Sequence, residues 1–175
     1  MNTSFKISLI AVLSATGLAL RTVAIPVSYS VQITPGMIVP ILSGIILGLW
    51  PGCLTGLIIG IYAAVFSGEF WLIPLIGNLL LAIGAGIVTD LMKNKNNTII
   101  KIIMLIISPS IIGGFIPTFS IMYILTPGTV IVALTSGAVD TVNALIAAII
   151  AVLVWGALKK IKLIEQISNP DTPQT

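Results

Sequence analysis

The chain has 175 residues, of which 57% are hydrophobic and only 7% charged, with a mean hydropathy of +1.18 and a net charge of +3. A soluble domain carries about 25% charged residues, so this composition excludes a water-solvated fold and describes an integral membrane protein. One cysteine and no histidine exclude a disulfide framework, a Cys/His zinc site and Ser-His or Cys-His catalysis within the chain.

The first apolar run extends from Ile7 to about Ala24, enough to cross a bilayer core with some tilt. Lys6 ahead of it and Thr22-Val23-Ala24 behind it are weak features of a cleavable leader, but the chain that follows is itself membrane-bound, which favours a span. Within this run Ala11, Ala15 and Ala19 form a stripe of small residues. Such a stripe lets another helix approach closely, either inside the bundle or on a partner. Residues 25–36, with two prolines and a glycine, read as a loop that folds back over the bundle.

Met37–Leu49 and Gly52–Phe66 read as a tight hairpin of two short helices, broken at Trp50-Pro51-Gly52. Gly44, Gly48, Gly52, Gly56 and Gly60 recur every fourth residue and permit close backbone contact. Cys53 in the same run reads as a small packing residue. Leu72–Met92 is a full span. Thr98–Leu125 is long and interrupted by Pro109, Gly113-Gly114 and Pro117, which predicts a kink. Such breaks persist at membrane depth where protein or a cavity satisfies the freed backbone groups. Thr129–Leu158 is the last span. The expected organisation is therefore a six-helix membrane domain over 1–162, second and third helices short, followed by a polar, disordered tail over 163–175.

With six spans, Lys6, Lys93, Lys95, Lys101, Lys159, Lys160 and Lys162 fall on one side and only Arg21 on the other. This bias places both termini in the cytoplasm of a multi-pass cell-membrane protein. Because the cations sit at helix ends as topology signals, they do not point to nucleic acid. No Gly-Lys pair occurs, so a P-loop is absent.

Asp140 is the ionisable group of interest, because it lies eleven residues into the last span, roughly 16 Å along it. Ser136, Asp140, Asn143 and Ala147 share one helix face, which should point inward. Asp140 and Asn143 are candidates for ligand contact, with interhelical packing as the competing role. Asn78 is an even choice between ligand recognition and packing. Tyr29, Phe70, Trp71, Phe119 and Tyr123 gather toward the outer face, where an interfacial belt accounts for Trp and Tyr and a stacking surface for a planar ligand is the alternative. Arg21 reads as a cation snorkelling to the surface, with contact to an anionic ligand group as the alternative. No cofactor, metal site or enzymatic activity is expected.

The combination resembles the substrate-binding S component of energy-coupling factor (ECF) vitamin transporters over residues 5–160. The resemblance rests on the alanine stripe from Ala11 to Ala19, the hairpin LSGIILGLWPGCLTGLIIG, and the six-helix layout with an acid-plus-asparagine face on the last span. It implies a subunit that captures a vitamin or related small metabolite outside and delivers it inside. Ala11 and Ala15 match the AxxxA motif by which the family docks on a transmembrane coupling protein driven by two ATPases, and Ala19 extends the stripe. The resemblance also implies an outward ligand site that includes Asn78, Trp71, Tyr123, Asp140, Asn143 and Tyr29. The rival readings are a small proton- or sodium-coupled carrier using Asp140, and a non-transporting membrane scaffold.

Overall fold

The computed structural model describes residues 3–28, 31–67, 70–95, 97–125 and 129–160; Tyr29, Glu69 and the expected tail at 163–175 lie outside them. Hydrocarbon offers no partner for backbone N–H and C=O groups, so a chain this apolar must satisfy them within helices. Five helices are long and apolar enough to cross a membrane, and a shorter apolar helix spans Pro35–Leu47.

Helix α1 runs over Thr3–Arg21. Residues 25–36 fold back as expected, but as an antiparallel hairpin of β1 (Ile25–Ser28) and β2 (Val31–Ile33), with Ile25 opposite Ile33 and Pro26 opposite Gln32. The β-branched residues of IPVSYSVQI suit extended backbone. Thr34 closes the hairpin by accepting a hydrogen bond from the Gly36 N–H at 3.1 Å. That cap starts a short 3-10 turn over Pro35–Met37, which leads into α2 (Ile38–Leu47).

The break between α2 and α3 falls at Gly48, not at Trp50-Pro51-Gly52. Gly48 has φ +80°, a conformation open to glycine, and α3 then runs for 18 residues over Leu49–Phe66. Pro51 sits in the first turn of α3, where its missing N–H costs no helical hydrogen bond. Asp90, near the end of α4 (Leu72–Leu91), accepts a hydrogen bond from the Leu49 N–H at 3.2 Å. The acid thereby caps α3 with a charge suited to a helix N-terminus.

The α2–α3 pair clamps α4 through its glycines. A methyl group at Gly44 would lie 2.5 Å from the Ala82 carbonyl oxygen, one at Gly56 2.6 Å from that of Asn78, and one at Gly60 2.7 Å from that of Leu75. Gly86 of α4 returns the contact, its missing Cβ falling 2.6 Å from the Leu49 Cα. This packing makes α4 the most enclosed span, with half of its apolar window buried.

The fifth span carries the expected irregularity. After α5 (Thr98–Pro109) the helix widens into a π turn over Ser110–Phe115 and resumes as α6 (Ile116–Leu125). Pro117 has no N–H to return to the preceding turn, and the wider turn is one way a helix accommodates such a gap. Ser108 donates to the Gly84 carbonyl at 3.0 Å and so ties the irregular segment to α4. The last helix, α7, spans Val130–Lys160 and buries Ala133, Ser136, Gly137, Asp140, Asn143, Ala144, Ala147, Ala148 and Ala151. The inward polar face read from the sequence is thus present, set among alanines.

Ile41, Ile59, Leu81, Leu105 and Ala144 anchor one continuous core, and a smaller cluster of Ile73, Met122 and Ala133 lies toward the opposite end from the lysines. Lys101 on α5 and Lys159 on α7 approach the same Trp155 ring. The lysines therefore gather at one end of the bundle, which the positive-inside rule assigns to the cytoplasm, while Arg21 lies at the other.

Adding a methyl at a glycine packed against backbone should force the helices apart, at a cost of roughly 1–3 kcal/mol. Gly44→Ala and Gly86→Ala should each lower the thermal midpoint of the detergent-solubilised protein. Gly156→Ala, with nothing within 4 Å of the new methyl, should hold or raise it. Equal midpoints for all three would refute this account of the clamp.

Candidate functional site

Arg21 is buried at 6% exposure, which corrects the expectation that it snorkels to the surface. Its side chain passes beneath the turn after β2, where Gly36 leaves room: a Cβ there would meet the Arg21 Cγ at 2.6 Å. Arg21 and Asp140 line the same small cavity, so the two opposite charges share one enclosed space. A membrane-embedded acid and a buried arginine each offset the desolvation of the other. Thr118 of α6 adds a third group by donating its hydroxyl hydrogen to Asp140 Oδ2 at 2.5 Å.

Asn78 completes this cluster. It is 1% exposed, and its Nδ2 donates to the Pro74 carbonyl one turn earlier at 2.6 Å. Its Oδ1 is buried with no hydrogen-bond partner among the described residues. Arg21, Asn78, Thr118 and Asp140 line a common cavity with Met37, Ile73, Pro74, Gly77 and Gly113. The cavity is small, about 10 Å³ of space for a water centre, room for roughly one molecule. Its walls come from α1, the turn before α2, α4, the π turn, α6 and α7.

Asn143 lies one turn along α7 from Asp140 but faces a different neighbour. Its Nδ2 donates to the Gln32 carbonyl at 3.0 Å. The Gln32 side chain in turn donates to the Ser67 carbonyl at the end of α3. These two bonds fasten the β1–β2 hairpin across the outer end of the bundle. On its outward side Asn143 joins Ile33, Val139, Val142 and Ile146 around an open, almost wholly apolar groove of about 270 Å³.

The outer aromatic residues singled out from the sequence fall into two groups, apart from a Tyr62–Phe66 pair at the end of α3. Trp71 is half exposed at the start of α4 and tilts against Phe70, with ring centroids 6.2 Å apart. Phe115, Phe119 and Tyr123 stack in series along the fifth span at 5.3 and 5.9 Å, ending at a half-exposed Tyr123. Phe70 and Phe119 pack against the same small core cluster. Neither Trp71 nor Tyr123 lines the polar cavity.

The structure therefore brings Asn78 and Asp140 together, sets Asn143 beside them as a tie to the hairpin, and leaves Trp71 and Tyr123 at the rim. Sequence reasoning missed Thr118 and Gln32, and underrated Arg21. A lone arginine on the outer side and a lone acid at mid-membrane were the available signal for that pairing.

The alanine stripe is resolved in the same way. Leu13, Ser14, Gly17 and Arg21 form the buried face of α1, with Gly17 seated on Ile59 of α3. Ala11, Ala15 and Ala19 are exposed on the other side. Packing within the described chain does not account for them.

A polytopic helical bundle, with an enclosed polar cluster toward its outer face and a smooth small-residue surface on its first helix, has the form of a membrane-embedded binding subunit rather than an enzyme. A family model of ECF-type riboflavin transporter S components matches residues 1–160. The chain belongs to that family, and is thus a substrate-binding subunit of a transporter. Comparison with curated proteins found no match.

If Arg21 and Asp140 offset each other's burial, removing both should cost less than the two single losses added together. Arg21→Met and Asp140→Leu are each expected to lower the thermal midpoint, and the double variant to lose less than their sum. A coupling energy of about 1 kcal/mol is expected for charges sharing one enclosed cavity; additive losses would show that the two groups do not interact.

Proposed function

We propose that this S component captures riboflavin on the outer side of the membrane and delivers it inward through a coupling protein driven by two ATPases. The family match supports the ligand, and the observation that carries the site is the buried Oδ1 of Asn78, without a hydrogen-bond partner among the described residues, on a residue that lines the polar cavity. A buried acceptor without a donor costs free energy that a ligand can recover. The flavin ring system carries one imide N–H, and Asn78 Oδ1 is suited to accept from it. Asp140 and Arg21 are suited to the ribityl hydroxyls, as acceptor and donor respectively. Trp71 and Tyr123 supply half-exposed aromatic surface on the outer side.

The cavity holds about one water as it stands, so a tricyclic ligand requires the outer end of the bundle to open, and the β1–β2 hairpin lying across that end is the element that moves in this proposal. In this reading the Asn143–Gln32 and Gln32–Ser67 hydrogen bonds are the ties that open, and Asn143 serves the site through the hairpin. Ala11, Ala15 and Ala19 form the surface on which the coupling protein docks. The small side chains permit close helix approach without a large desolvation cost, because lipid solvates them little better than protein does.

Titration of the purified protein with riboflavin, followed by quenching of flavin fluorescence, tests the site. Asn78→Ala and Asp140→Asn should each weaken binding about tenfold or more, since each strands a ligand group. The Ala11→Trp/Ala15→Trp pair should bind riboflavin normally while abolishing uptake in cells that supply the ATPase partners. Absence of any quenching by the unaltered protein would overturn the ligand assignment. Uptake that persists without ATPase partners and fails in Asp140→Asn would support a gradient-driven carrier instead.

A further inference from the structure

At the cytoplasmic end of the bundle, the ammonium of Lys159 lies 4.1 Å from the centre of the Trp155 ring, and that of Lys101 lies 5.7 Å from it. Two cations from different helices thus share one indole and lie within about 10 Å of each other, close to the screening length at physiological salt. They repel, and no described carboxylate forms an ion pair with either. Asp90, the acid at this end of α4, is committed to the Leu49 N–H of α3. The chain has fixed two like charges side by side and left them without a described counter-charge.

We propose that Lys101, Trp155 and Lys159 form a binding site for the headgroup phosphate of an anionic phospholipid of the inner leaflet. The indole holds both ammonium groups through cation–π contacts, so the site is partly organised before the lipid arrives. A phosphodiester between the two ammoniums accepts hydrogen bonds from both and cancels their repulsion. Deeper in the membrane, Met104 lies one turn from Lys101 on α5 and is exposed, and Leu153 and Val154 beyond Trp155 on α7 are exposed apolar residues against which acyl chains can lie. Lys101 follows the start of α5 by one turn and Lys159 is in the last turn of α7, which sets the pair at headgroup depth. Basic clusters between spans on the cytoplasmic side bind anionic headgroups in this way. The site is at the opposite membrane face from the polar cavity and does not depend on the ligand assigned to it.

Native mass spectrometry of the full chain, released from bilayers of equal phosphatidylglycerol and phosphatidylcholine, tests the proposal. The unaltered protein should retain phosphatidylglycerol preferentially, and K101Q/K159Q should lose that preference, by about fivefold for each lysine removed. The single variant K159Q provides the same reading if the double variant is not monodisperse. K93Q/K95Q removes equal charge from the neighbouring loop and should leave the preference in place. Equal retention of both lipids, or equal losses in the two double variants, would overturn the proposal in favour of nonspecific surface attraction. Displacement of the lipid by millimolar glycerol phosphate would overturn it in favour of a soluble phosphate site. A preference unchanged in K101Q/K159Q, together with loss of the coupling protein on co-purification, would make the cluster a protein contact.

Discussion

The packing of α2 and α3 on α4 depends on backbone approaching backbone. Lipid tails are as apolar as leucine, so burying large side chains gives little net drive for helices to associate in a bilayer. What remains is dispersion, and it grows as backbones come together. Gly44, Gly56, Gly60 and Gly86 supply that approach, each leaving a gap that a methyl would overfill. The clamp fixes α4, α4 fixes Asn78, and the tie from Ser108 to Gly84 fixes the irregular fifth span against the same helix. The polar cavity is bounded by elements whose positions follow from this contact.

The π turn serves the cavity in a second way. A regular helix from Thr98 to Leu125 would carry an unmet carbonyl opposite each proline. Widening the turn at Ser110–Phe115 accommodates the prolines and brings Gly113 against Leu81 of α4. Thr118, in the first turn of the resumed helix, then faces Asp140. The polar cluster thus draws on an irregularity that in water would be a minor defect, and that in hydrocarbon must be built into a packed interior.

Much of this was legible because membrane folding uses few signals. Spans, kink and charge bias follow from hydropathy, proline and lysine, and the inward face of Asp140 follows from helical spacing. The hairpin at 25–36 read as a plain loop, since Pro26 and Gly36 outweigh a short β-branched alternation. The helix break moved to Gly48 because a proline in a first turn costs nothing there, and sequence alone does not show which residue starts a helix. Arg21 is the instructive error. Its burial depends on Asp140, distant in sequence, and on a glycine beside it, and neither is visible from a helix end taken in isolation. Asn78 and Asn143 illustrate the same limit: both are buried, but the amide oxygen of Asn78 has no partner among the described residues, while the Asn143 amide holds a carbonyl of β2.

The exposed face of α1 has a consequence for the surrounding bilayer. A lipid chain lying along Ala11, Ala15 and Ala19 touches few side-chain atoms compared with one lying along leucine, and so gains less dispersion energy. The neighbouring lipid is therefore weakly held along this strip. Annular lipid is cheaper to strip away here than along a leucine-lined helix, and a helix arriving from another protein has less to displace.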